Sequence, residues 1–145
     1  GIERGFRNAV APADIVLIVT NPEVSAVRDA DRIIGLVEAE EKGPPKLVLN
    51  RMKPELVRRG DMLATADVLE VLAIELIGVV PEDDSVLIAS NHGAPAALDA
   101  KSRAGRAFRD IARRLNGETV PFAEGESGDG LFGRLARLVR PGGAA

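Results

Sequence analysis

The sequence predicts an α/β fold: part of a doubly wound, mostly parallel sheet with flanking helices, plus a C-terminal amphipathic helix. Three observations carry this. Apolar runs alternate with helical patterns, the signature of βαβ units joined into a parallel sheet. The runs are continuously aliphatic, as strands buried on both faces are. The chain of 145 residues is 46% hydrophobic with no Trp, no Tyr and four Phe, which suits a Val/Ile/Leu sheet better than a sandwich.

The first strand is expected over residues 15–19, stopped by Thr20-Asn21-Pro22. A helical pattern over 24–41 sets Val24, Val27, Ile34 and Val37 on one side. The second strand, 47–49, follows Pro44-Pro45. A shorter helix over 62–72 leads to the third strand, 74–80, which Pro81 ends. Residues 84–91 form a short helix closed by Gly93, and 99–115 a long amphipathic one closed by Asn116-Gly117. Residues 1–122 form one body, 123–130 a polar, glycine-rich linker, and 131–140 a separate helix. Three parallel strands leave a long apolar edge open, so the missing strands are expected in sequence before Gly1. The opening Gly1-Ile2-Glu3-Arg4-Gly5, with no Met, reads as the middle of a longer protein.

Composition narrows the chemistry. No apolar run reaches about 18 residues and no signal peptide is visible, so a cytoplasmic body is expected. Zero cysteines remove disulfides and thiolate metal sites, and His92, the single histidine, builds no metal site alone, so no metal ligand is assigned. The net charge of −3 argues against general affinity for nucleic acid.

Neither G-x-x-x-x-G-K-[ST] nor G-x-G-x-x-G occurs, so if the protein handles a nucleotide its phosphate and magnesium chemistry lies outside this chain, and no catalytic residue is assigned within it. A base could still be held, because open α/β sheets bind ligands beyond the carboxyl ends of their strands. Three segments sit there. Thr20-Asn21-Pro22-Glu23 is either a turn with a helix start or part of that site. Asn50-Arg51 is either a polar strand end or an amide for an adenine edge beside a guanidinium that stacks on a ring. In Pro81-Glu82-Asp83-Asp84-Ser85, one of the last three caps the next helix, while Pro81-Glu82 can offer backbone to a base. Asp29 and Asp31, beside Arg28 and Arg32, form a solvated cluster or a partner surface.

The tail is the most distinctive stretch. As a helix, residues 131–140 place Leu131, Phe132, Leu135, Leu138 and Val139 within an arc of roughly 120°. Arg134, Arg137 and Arg140 fall outside that arc, and no acidic residue interrupts them. Such a helix either docks on its own domain or lies on an anionic membrane, arginines on head groups and apolar face in the acyl boundary. The glycine-rich spacer before it and an arginine-only polar face favour the membrane.

Taken together, GIERG, TNPEVSAVRDADRI, RRGDML, DVLEVL, GVVPEDDSVLIASNHGAP and GLFGRLARLVR resemble the MinD family of bacterial division-site regulators, within the deviant Walker A (ParA-like) ATPases, over nearly the whole chain. The resemblance implies the C-terminal half of an ATPase that dimerises around ATP, with magnesium in the intact protein, and then binds the inner face of the cell membrane. It implies a division inhibitor and an ATPase-stimulating factor as partners. Residues 1–3 would continue the second switch segment. Glu23 would reach the nucleotide of the opposite subunit. Asn50, Pro81 and Glu82, with Arg51 beside them, would line the adenine pocket, and Ser25, Asp29 and Asp31 would meet a partner. Because the phosphate loop is absent, this chain alone is expected to be inactive. The alternatives are a chromosome- or plasmid-partitioning relative, which needs basic clusters on the body and no lipid helix, and a non-enzymatic membrane adaptor.

Overall fold

A computed structural model of the chain describes residues 2–123 and 126. The elements run α1 (Ile2–Val10), β1 (Leu17–Thr20), α2 (Val24–Ala39), β2 (Lys46–Met52), α3 (Pro54–Arg59), α4 (Thr65–Leu72), β3 (Glu75–Pro81), α5 (Asp84–Asn91), a 3-10 turn (Ala96–Leu98) and α6 (Arg103–Leu115). The strands form a parallel sheet in the order β1-β2-β3. The helix expected over 131–140 lies outside the described residues, as does most of the linker.

Each boundary has a local cause. Leu17, not Ile15, starts β1, although the Val16 carbonyl already accepts from Lys46 N at 2.9 Å. On α2 the spacing of Val27, Ala30, Ile34 and Val37 buries one stripe. Val24, expected on that stripe, is exposed, and Ala30 completes it instead. Pro54 opens α3, and Gly60 closes it at φ 77°, a left-handed conformation that costs glycine little. The helix expected from 62 starts at Thr65, where the Asp67 carboxylate accepts from Ala64 N at 2.9 Å. The long helix expected from 99 starts at Arg103, because Ser102 Oγ accepts from Gly105 N at 2.8 Å and caps it.

Apolar residues fill both faces of the sheet unequally. One face carries the larger core: Ile18, Leu47, Leu49 and Val79 pack with α2 and with Val68 and Leu72 of α4. On the other, Val48, Ile77 and Val80 meet Ala104 and Ile111 of α6. Gly78 permits that approach, since a Cβ there would stand 2.2 Å from Ile111 Cγ1. The α6 cover stops short of β1, leaving Val19 60% exposed and Leu17 exposed beside it.

Candidate functional site

At the carboxyl end of β2 the alternation of faces breaks. Arg51 adopts φ 57°, and the pairing with β3 slips between Leu49 and Met52. This bulge turns Met52, not Arg51, into the core. Arg51 is thrown outward to Glu82 at the end of β3, where Nε donates to Oε2 at 2.9 Å and a terminal nitrogen to Oε1 at 3.2 Å. Asn50-Arg51 therefore lies inside β2, directly before its last residue Met52, not after the strand as expected. The two-point pair holds the Glu82 carboxyl below its ordinary value, chiefly through the hydrogen bond from Arg51, and raises Arg51 correspondingly. The guanidinium edge is occupied and its flat face is free for a ring.

Beyond this pair opens a cavity of about 660 Å³. Its walls include Val19, Val48, Val80, Leu87 and Phe108, and its polar end holds Asn50, Arg51, Pro81 and Glu82. The Asn50 carboxamide is half-buried and makes no hydrogen bond among the described residues. Glu82 N is spent on Met52 O at 2.9 Å. Asn50 is thus the ready donor–acceptor pair beside apolar walls, a fit for the edge and faces of a planar heterocycle.

Asp83 fixes the floor. It caps α5 through Ser85 N at 2.9 Å and also accepts from Ala104 N at 3.0 Å and Ser102 Oγ at 3.1 Å. Ser85 Oγ donates to Ser102 Oγ at 2.7 Å. These backbone donors, Ala104 first, hold its carboxyl well below the usual carboxylate range.

The structure brings together Asn50, Arg51, Pro81 and Glu82 around one groove. Glu23, exposed as the residue before α2, flanks a separate depression with Val57 and Met62 but is near enough for its charge to help raise Arg51. Ser25 and Asp29 lie one turn apart on α2, with Asp29 beside the open edge of β1. Asp31, also exposed, projects roughly 160° around the helix from Asp29, so the three do not form one patch. Leu87 and Phe108 complete the groove and were not anticipated. For Leu87 a signal was available, the apolar Val86-Leu87-Ile88 run on a short helix; nothing in the sequence tied Phe108 of α6 to the groove.

No family model matches the chain. It is 54% identical over 123 residues to the septum site-determining protein MinD of Bacillus subtilis, covering 84% of this chain and 46% of that protein. With the same-named protein of Synechocystis sp. the identity is 52% over 125 residues, 86% of this chain and 47% of that one. The solved MinD cell division protein of Aquifex aeolicus superposes with a TM-score of 0.81 at 49% identity, covering 86% of this chain and 52% of that chain. A MinC:MinD cell division protein complex from the same organism matches equally, with a TM-score of 0.81 at 49% identity. The chain spans about half the length of the curated relatives it matches.

Proposed function

The chain belongs to the MinD family, whose C-terminal half it spans, and on that premise we propose that it forms the base-binding, partner-binding and membrane-facing half of a division-site selection ATPase. The observation that supports this most is the meeting of Asn50, Pro81 and Glu82 around one apolar groove at the carboxyl ends of β2 and β3. Asn50 reads the base edge, Val80 and Pro81 cover its face, and Glu82 holds the Arg51 guanidinium as a flat lid. ATP with magnesium, when bound, supplies the phosphoanhydride, and the residues that hold its phosphates are not in this chain. Glu23 points across to the nucleotide of a second subunit in an ATP-dependent homodimer. Ser25 and Asp29 on one stripe, with Asp31 on another, receive the division inhibitor, and the ATPase-stimulating factor acts on the same assembly. Residues 1–122 are the ATPase portion and 123–130 the linker. Residues Leu131, Phe132, Arg134, Leu135, Arg137, Leu138, Val139 and Arg140 bind the anionic inner face of the cell membrane.

The test is ATP turnover in two mixtures. Residues 1–145 alone turn over no ATP; addition of the N-terminal half of the Bacillus subtilis relative restores turnover. In that mixture Asn50→Ala raises KM by roughly tenfold, the loss of one or two base hydrogen bonds. Turnover by the chain alone would overturn the reading. Silence in the mixture, with vesicle binding intact, would favour the non-enzymatic adaptor.

A further inference from the structure

Arg114, in the last turn of α6, divides its whole guanidinium between β3 and the residues that follow the helix. Nε donates to Val120 O at 3.0 Å, one terminal nitrogen to Ile77 O of β3 at 3.0 Å, and the other to Pro121 O at 3.0 Å. Its central carbon stands 3.9 Å from the centroid of the Phe122 ring. Three carbonyls and an aromatic face on one half-buried cation tie residues 120–122 to the third strand. Nothing in the base groove or on α2 uses this cluster.

We propose that Arg114 is a positioning residue that sets how far the body stands from a lipid surface, by choosing where the tail begins. With the clasp made, residues 120–122 stay on the body and a turn follows them, Glu126 N donating to Ala123 O at 3.0 Å. Roughly five residues then separate Glu126 from Leu131, a maximum reach of about 18 Å. Without it, the body still holds the chain as far as Glu118, whose N donates to Arg113 O at 3.0 Å and whose carboxylate accepts from Arg113 Nε at 2.8 Å. The path of roughly thirteen residues to Leu131 then reaches about 45 Å. Lysine cannot replace arginine here, because an ammonium group lacks the planar fork and the flat face that the ring meets. The proposal rests on the membrane reading of residues 131–140, and its test separates the two.

The chain has no Trp and no Tyr, so a single Trp placed at exposed Ala112 is an unambiguous fluorescence donor. The acceptor is a dansyl-labelled lipid in phosphatidylglycerol–phosphatidylcholine vesicles, and co-sedimentation is measured on the same samples. Among vesicle-bound molecules, Arg114→Lys, which keeps the charge, lowers energy transfer by about half or more as the maximum reach more than doubles. Deletion of residues 124–130 in the Arg114→Lys background shortens the path to its clasped length and restores transfer. A role in folding alone would not be rescued that way. Phe122→Leu, which keeps apolar bulk and loses the ring, gives a smaller drop and serves if Arg114→Lys is unstable. Unchanged transfer in bound Arg114→Lys, or no rescue by the deletion, overturns the clasp while the membrane reading stands. Because one tail should bind weakly, lipid is raised until the parent chain co-sediments; failure to do so at any lipid concentration overturns both.

Discussion

The Asp83 carboxylate accepts from the starts of two helices at once, α5 through Ser85 and α6 through Ala104. Its native pKa is depressed, so its contribution is full above the ordinary carboxylate value and fades as pH falls below about 4. Asp83→Asn should therefore lose about 1–3 kcal/mol at pH 7, and the gap to the parent should narrow steadily in urea titrations taken from pH 5 downward. A gap that stays constant with pH would contradict a charged acceptor. Gly105→Ala should cost a similar amount, about 1–3 kcal/mol in thermal melts, because its Cβ would lie 2.1 Å from the Ala96 carbonyl oxygen, which is backbone and cannot step aside. At this scale the sequence was half legible. A cap was expected within Asp83-Asp84-Ser85 on spacing, and Asp83 is the cap. Its reach to Ala104 was invisible, since it spans 21 positions and depends on how α6 docks. The left-handed Arg51 was equally hidden, because nothing in the residue type demands a positive φ.

The elements that sequence made plain are those held by their own periodicity: the three aliphatic strands, their parallel pairing, and α2 with its buried stripe. Two helices were missed, each with a local signal. In α1, Ile2, Phe6 and Val10 recur every fourth residue, and Phe6 packs on the main core while Val10 is buried. In α3, Pro54 at the start and Gly60 at the end are its markers. The element of most consequence is β1. Val19 and Leu17 are exposed on the α6 side, and Leu87 across the groove is 67% exposed. An apolar strand at an open edge invites association. The isolated chain should bind a hydrophobic dye and self-associate in sedimentation velocity. Val19→Lys should reduce both while shifting the melt by no more than about 0.5 kcal/mol, because that side chain is already exposed. A clean, dye-silent monomer before substitution would show that this face is self-sufficient.

For the molecule as a whole, the tail prediction follows from sequence alone. On the membrane reading, Phe132, Leu135 and Leu138 would contribute roughly 1.5–3 kcal/mol each when fully buried and less at an interface, so one tail should bind weakly and two in a dimer should bind well. With residues 131–145 fused to a dimeric carrier, Leu135→Glu should abolish flotation with anionic vesicles. The triple change of Arg134, Arg137 and Arg140 to Gln should weaken flotation and remove most of its salt dependence. If the Leu135→Glu fusion floats as well as the parent, the helix docks on protein and the membrane reading fails. The position of the tail's root carries a mechanical consequence as well. Arg114 grips β3 at Ile77, while the base groove opens past Val80 at the other end of the same strand. On the membrane reading, a tug directed along β3 from its Ile77 end would run along the strand axis. It meets the ladder between β2 and β3 in shear, with many hydrogen bonds sharing the load at once, where a pull across the sheet would part them one by one. The groove would then lie at the far end of that load path, past Val80.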